Sequence, residues 1–286
     1  MRILARAKIN WALSVQGIDP RGYHLLRMIN DSVSLADVIE LKHASQDVTV
    51  GSIPDVSMLD NVVYKAATLL KERFGIRQGV RIEIEKRIPL AAGLAGGSTN
   101  AAATLIGLNE LWQIGLGLSE LAELALEIGA DVPYCLYGGR RRVAGVGERV
   151  AHPLGGPMYH LVIAKERGVL YTPQVFAAYD QNPVKQADAD AIAKALASGD
   201  MKQIRKAMVH ANDLQDAACA LDKNVQRVIS RVMGTGAVAA WVSGSGPAVV
   251  GLYQSEDAQQ AAVEELKNKV FSVYAVVTEK KAVEMI

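Results

Sequence analysis

An α+β fold in two domains is what this 286-residue sequence predicts. Three observations carry the prediction. Strand-like alternation and helix-like periodicity are interleaved without a strict strand–helix–strand repeat, which argues against a doubly wound parallel sheet. Turn formers cluster at His152-Pro-Leu-Gly-Gly-Pro157, dividing the chain into residues 1–155 and 156–286. Each part is of ordinary domain size and long enough to bury a core.

In order along the chain, Arg2 to Val15 alternates as a strand, Asp19-Pro-Arg-Gly22 turns, and Val33 to Leu41 is a second strand region. Asp60 and Asn61 precede Val62, Ala66, Leu69 and Leu70, a helix pattern that Gly75 closes. Val80-Arg-Ile-Glu-Ile-Glu85 reads as a half-buried strand. After a glycine-dense loop, Ala101 to Trp112 is a helix rich in alanine and leucine, buried on most sides. Ser119 reads as the cap of the next helix, with Leu121, Leu124, Ala125 and Ile128 on one face and Gly129 at its end. Beyond the boundary come a strand (Tyr159–Ala164) and helices between Ala187 and Val232. Two strands (Val238–Ser243, Ala248–Tyr253) follow about a glycine turn, then a helix near Ala258–Lys269 and a strand (Phe271–Val277).

Composition narrows the function. Thirty-one basic residues against 30 acidic ones give a formal net charge of +1. That balance removes the general electrostatic argument for nucleic acid or an anionic membrane. Cys135 and Cys219 make no disulfide scaffold, so a reducing, cytoplasmic setting is expected. Arg2, Arg6 and Lys8 imitate a signal peptide, but Asn10, Ser14 and Gln16 interrupt the apolar run at once. Two charge-free stretches, Ile88–Asn109 and Met233–Ser255, hold too much glycine and proline to span a bilayer. The five histidines show no metal-ligand spacing, and neither a hydrolase G-x-S-x-G nor the protein-kinase signatures occur.

Four segments carry chemistry. In Pro89-Leu-Ala-Ala-Gly93-Leu94-Ala95-Gly96-Gly97-Ser98-Thr99-Asn100 a strand runs into a glycine loop and then a helix. Glycines let successive N–H groups converge, and the helix start adds partial positive charge, so the segment suits a phosphate without a Walker lysine. Ser98, Thr99 and Asn100 stand in the first turn, within reach of phosphate oxygens or Mg²⁺. In Gly129-Ala-Asp131-Val-Pro133 the proline disfavours helix, which leaves Asp131 just past a helix end, where the dipole repels it. Either a local cap or a functional demand explains that. Lys8 and Asn10 share one strand face opposite Ile9, either solvated or reactive. Ser243-Gly244-Ser245-Gly246-Pro247 is either a plain hairpin turn or a closure over phosphates.

Taken in this order, and with Ala7-Lys-Ile-Asn-Trp-Ala-Leu13, Gly22-Tyr-His24, Gly145-Val-Gly-Glu148 and Asn212-Asp-Leu-Gln-Asp-Ala-Ala218, these segments resemble the GHMP small-molecule kinase superfamily. Lys-Ile-Asn, Gly-Tyr-His and Gly-Ala-Asp-Val-Pro resemble the branch acting on 4-diphosphocytidyl-2-C-methyl-D-erythritol. The resemblance implies an N-terminal domain of the ribosomal protein S5 domain 2 type and a ferredoxin-like C-terminal domain, with ATP and substrate meeting between them. It implies phosphorylation of the C2 hydroxyl in non-mevalonate isoprenoid biosynthesis, with ATP as cosubstrate and Mg²⁺. The alternative within the family is another small alcohol, such as homoserine or a mevalonate derivative.

Carried over residue by residue, Asp131 is the base and Lys8 its partner at the attacking oxygen. Pro89, Gly93, Leu94, Ala95, Gly96, Gly97, Ser98 and Thr99 form the ATP loop, with Asn61, Lys86 and Asn100 also on the nucleotide side. Asn10, Tyr23, His24, Thr172, Phe176, Gly244, Ser245 and Gly246 face the substrate, Tyr23 and Phe176 sandwiching the cytosine. A small molecule bearing a cytidine diphosphate is the expected partner, with no nucleic acid or membrane, for a monomer or homodimer. Two segments depart from the family pattern. Met28-Ile-Asn-Asp-Ser32 stands where an apolar stretch is usual, and Gly139-Arg-Arg-Arg142 where small residues are usual. The arginines read either as a solvated run or as neighbours of the substrate.

Overall fold

A computed structural model describes residues 1–51, 57–184 and 186–286. β1 (Arg2–Ile18) turns at Asp19–Gly22 into β2 (His24–Ala44), followed by β3 (Val48–Val50), α1 (Val62–Arg73) and β4 (Gly79–Glu85). α2 (Gly96–Leu111), α3 (Leu118–Ile128) and α4 (Val132–Tyr137) come next, then the hairpin β5 (Arg141–Gly145) and β6 (Arg149–Pro153). β7 (His160–Lys165) leads to α5 (Thr172–Gln181), α6 (Ala189–Ser198), α7 (Met201–Ala207), a 3₁₀ turn, α8 (Gln215–Leu221) and α9 (Lys223–Gly234). β8 (Ala239–Val242), β9 (Val249–Tyr253), α10 (Glu256–Leu266), β10 (Ser272–Glu279) and β11 (Val283–Met285) complete the described chain. The mixture is α+β, as the interleaved periodicities predict.

One sheet runs in the order β11-β1-β2-β10-β7-β9-β8, with β4 and β5 also pairing β2, and β3 and β6 extending them. Its pairings are antiparallel except β3 with β4. The 21-residue β2 is the hub, long enough to take four partners along its length. β10 meets it through Thr278–Val33 and Glu279–Ser32 before running on against β7. No described helix is long and apolar enough to cross a membrane.

Two hydrophobic clusters flank β1, and β-bulges decide which residues face which. Ile3, Ala5, Leu13 and Val15 join one cluster, whereas Ala7, Ile9 and Trp11 join the other. Register shifts between Arg6 and Lys8 and between Asn10 and Ala12 make the exchange. Bulges re-aim side chains in this way beside functional sites. Between them, Lys8 and Asn10 point away from the Ile9–Trp11 cluster.

The structure corrects several expectations. β2 starts at His24, well before Val33, because the polar run Asn30-Asp31-Ser32 is buried within the strand and each residue finds a side-chain partner. Ser119 is not a cap: Gly117 begins α3, and the Glu120 carboxylate accepts from the Gly117 N–H at 2.7 Å. α2 begins at Gly96 rather than Ala101, so the second half of the glycine segment is already helical. Helices start at Thr172, where Pro173 occupies the first turn, and not only at Ala187.

Candidate active site

The glycine segment closes β4 onto α2. Ala91 and Ala95 take left-handed backbone conformations, φ 46° and 52°, a cost that non-glycine residues bear only where the surroundings enforce it. Ala95 is the N-cap and contributes no side-chain bond, and the first turn holds no acidic residue. The leading N–H groups of a 16-residue helix therefore keep their donors for a ligand. Gly93 is required where it stands: a Cβ there would lie 2.2 Å from the Ser243 carbonyl oxygen. Gly93 to Ser98 line a cavity of about 520 Å³, together with Pro89, Lys86, Lys8, Asn10 and Asp131.

Lys8 and Asn10 are not solvated. They are 5 % and 1 % exposed, and Lys8 Nζ donates to Asn10 Oδ1 at 2.7 Å. The same ammonium lies 3.8 Å from Asp131 Oδ2. Asp131 is where the sequence placed it, but its surroundings differ. Pro133 does not break helix there; it sits in the first turn of α4, of which Asp131 is the N-cap. A carboxylate at a helix start is favoured by the dipole rather than repelled. Asp131 caps nothing with its side chain and keeps its oxygens for the cavity. Behind it the buried Cys135 thiol is pushed up, chiefly by desolvation and then by the Asp131 charge, and stays neutral.

The turn between β8 and β9 packs directly on this loop. Ser243 Oγ donates to the Gly93 carbonyl at 3.1 Å and accepts from the Asn10 N–H at 3.2 Å. Trp241 Nε1 donates to the Asn10 carbonyl at 2.7 Å. Asn212, whose role the sequence left open, holds the turn by donating to Val242 O and Gly244 O, both at 2.8 Å. Thr172 at the start of α5 meets Ser245 Oγ at 2.9 Å, and both line the cavity with Phe176, Gly244 and Gly246.

Of the other sequence-nominated residues, Lys86 reaches that lining, whereas Asn61, Thr99, Asn100, Tyr23 and His24 stand outside it. Thr99 and Asn100 are buried beneath the loop, and Asn61 caps α1 by accepting from Val63 N–H at 3.0 Å. Lys86 is engaged by Asp37, a fully buried carboxylate that also accepts from the Arg87 and Ile88 N–H groups. In the sequence nothing local distinguishes Asp37 from a solvated strand residue. His24 stacks on Phe176 with centroids 4.3 Å apart, and its Nε2 lies 2.8 Å from Asp180. Tyr23 is 60 % exposed beneath the Arg21 guanidinium, so one face of Phe176 meets His24 rather than Tyr23.

The two departures from the family pattern turn out to be partners. Arg140 is not surface: its Nε donates to Asp31 Oδ2 at 2.7 Å, with side chains 6 % and 2 % exposed. Its other nitrogens donate to Gly155 O and Pro157 O, and it lies over the Tyr159 ring at 4.7 Å. Ser32 completes the run, its hydroxyl meeting Tyr134 Oη and accepting from the Gly139 N–H. Arg142 pairs with Asp190 of α6, which also pairs with Arg27. Among the described residues no group of three or more His, Cys, Asp or Glu could hold a metal ion.

Two family models match this chain, GHMP kinases N terminal domain over residues 61–139 and GHMP kinases C terminal over residues 192–273. A curated 4-diphosphocytidyl-2-C-methyl-D-erythritol kinase of Bacillus cytotoxicus is 41 % identical over 279 residues, 96 % of this chain and 95 % of that one. The chain belongs to the GHMP kinases. A second GHMP relative, the 4-diphosphocytidyl-2-C-methyl-D-erythritol kinase of Clostridioides difficile, is 37 % identical over 100 % of this chain and 97 % of its own. Among solved structures, that of a 4-(cytidine 5'-diphospho)-2C-methyl-D-erythritol kinase superposes with a TM-score of 0.83 at 33 % identity, covering 97 % and 99 % of the two chains. A homoserine kinase from Cytophaga hutchinsonii, at 21 % identity and TM-score 0.75 over 100 % and 97 %, shares the fold.

Proposed function

We propose that this GHMP kinase transfers the γ-phosphoryl group of ATP to the C2 hydroxyl of 4-diphosphocytidyl-2-C-methyl-D-erythritol, a step of non-mevalonate isoprenoid biosynthesis. The observation that carries the reading is the buried Lys8 beside Asp131, 3.8 Å apart, in the same cavity as the open start of α2. The named relatives at 37–41 % identity supply the acceptor. Residues 1–155 and 156–286 are the two domains of the proposal.

Phosphoryl transfer asks for positioning and charge neutralisation more than covalent help. The acceptor oxygen forms a bond to the γ-phosphorus as the bond from that phosphorus to the β–γ bridging oxygen breaks, releasing ADP. The hydroxyl proton passes to an Asp131 oxygen, and the Lys8 ammonium offsets the charge that gathers on the attacking oxygen. N–H groups from Gly93 to Ser98 hold the phosphates. Asn10 steers Lys8, while Asn61, Thr99 and Asn100 support the loop from below. Thr172, Phe176 and the Gly244–Gly246 turn hold the acceptor, and His24 on Phe176 forms an aromatic platform for the cytosine, with Tyr23 at its rim.

Mg²⁺ suits this donor set, since it takes only one or two protein oxygens and leaves the rest to phosphate and water. Ser98 and Asp131 both line the cavity and would be those oxygens. Bound there, the ion neutralises charge on the β- and γ-phosphates.

The test is ADP release with Mg-ATP, comparing the cytidylated acceptor with the same alcohol lacking cytidine, with homoserine and with mevalonate. Turnover confined to the cytidylated acceptor is expected. Turnover with homoserine or mevalonate alone would overturn the substrate and leave the kinase.

A further inference from the structure

We infer that Asn30 is a positioning residue for the reaction: its side-chain amide fixes the orientation of Asn10, and Asn10 in turn fixes the Lys8 ammonium. The inference rests on the role proposed above for Lys8. Asn30 lies opposite Asn10 in the β1–β2 ladder and is fully buried. It accepts from Asn10 Nδ2 at 2.6 Å, while Asn10 Oδ1 accepts from Lys8 Nζ at 2.7 Å.

The direction of this relay follows from what each group can do. An ammonium only donates, so the end of the Asn10 amide beside Lys8 must be its oxygen. The NH₂ end then points at β2 and requires an acceptor. Asn30 Oδ1 is that acceptor, with the Met28 thioether, 3.5 Å away, as a weak second. Two facing amides with no third party would be equally content with both reversed. Lys8 breaks the tie at one end, and the acceptor on Asn30 keeps the middle amide from turning its donors toward the ammonium. Asn30 Nδ2 has no partner among the described residues, although it is buried. A buried donor left unsatisfied is a cost that calls for an explanation. Here the oxygen is needed, and the unsatisfied donor comes with it.

Asn30 touches neither the cavity nor Asp131, so its loss acts on rate through Lys8 and not on substrate affinity. Asn30→Leu removes the acceptor at similar size. Asn30→Asp keeps an oxygen facing Asn10 in either protonation state and, when ionised, also removes the unsatisfied donor. Steady-state kinetics on both variants and on Lys8→Ala, with ATP affinity and thermal unfolding measured in parallel, form the test. N30L is expected to lower kcat by about 10²-fold, the cost typical of a misplaced catalytic group, with KM for ATP and acceptor unchanged. N30D is expected to recover most of that loss. Wild-type kcat in folded N30L, with K8A inactive, would overturn this inference alone. Equal losses in N30L and N30D would also overturn it, because both then report damage to the strand. Full activity in K8A would overturn the reading of Lys8 and this inference with it.

Discussion

Replacing Arg140 by methionine strips the Asp31 carboxylate of its cationic partner and leaves it Trp11 Nε1, at 3.1 Å, as its remaining side-chain donor. Both charges are all but inaccessible, at 2 % and 6 % exposure, so water cannot stand in for what is lost. Breaking a buried pair from one side costs about 3–5 kcal/mol, which lowers the melting temperature of a chain this size by roughly 10 °C. The opposite replacement, Asp31→Asn, is far milder. Arg140 keeps the Gly155 and Pro157 carbonyls and its seat over Tyr159, so about 1 kcal/mol is expected.

The asymmetry has a pH signature. Burial pushes the Asp31 carboxyl up to about 6, more than the Arg140 guanidinium beside it pulls it down. The folded state therefore holds this proton more tightly than the unfolded chain, so the contribution of the group is whole below about pH 3.8 and fades as pH rises through about 6. Without Arg140 the folded carboxyl climbs further, so the R140M loss opens above pH 6 and shrinks below it. Denaturant unfolding of wild type, D31N and R140M at pH 5 and pH 8 measures both effects. Equal losses in the two variants, or an R140M loss that ignores pH, would refute the reasoning.

Asp131→Asn and Lys8→Ala are each expected to cut kcat by about 10²–10⁴-fold with the fold intact, as checked by single-turnover kinetics beside circular dichroism. Gly93→Ala places a methyl 2.2 Å from Ser243 O at φ +76°, so it should cost at least about 1–2 kcal/mol and raise KM for ATP, read by thermal unfolding and kinetics. Phe176→Ala removes the ring on which His24 stacks, and should raise KM for the cytidylated acceptor while leaving KM for ATP alone. Asp37→Ala strands Lys86 and two backbone N–H groups, so it should destabilise by about 3 kcal/mol, and Lys86→Met, which leaves the fully buried Asp37 carboxylate without its cation, should cost about as much, both read by denaturant unfolding.

The glycine segment was legible because its chemistry is local, N–H groups converging at a helix start, whereas Lys8, Asn10 and Asp131 stood out by position and took their proposed roles only from the resemblance to the family. What stayed hidden depends on partners distant in sequence. Arg140 reads as surface until Asp31, 109 positions away, is brought beside it. Asn30, Asp31 and Ser32 break the alternation that marks a strand, yet each bonds a different neighbour, Asn10, Arg140 and Tyr134. Pro133 reads as a stop in the sequence, yet a proline in the first turn marks a helix start equally well. The same signal at Thr172-Pro173 opens α5. That one face of Phe176 packs on His24 could not be read either, because stacking partners cannot be told from sequence.

The outer edge of β1 is covered by β11, with Ile3 opposite Met285 and Arg6 bonded to Glu284, 278 positions further on. During synthesis at about 5–20 residues per second, this edge waits roughly half a minute for its cover. Until then the first residues of β1, Ile3 to Ala5, present bare backbone to any other nascent chain, the condition under which exposed edges join edge to edge. A fragment ending near residue 155 would keep that condition permanently. Crowded overexpression should therefore expose this weakness first, and slowing translation at low temperature should relieve it.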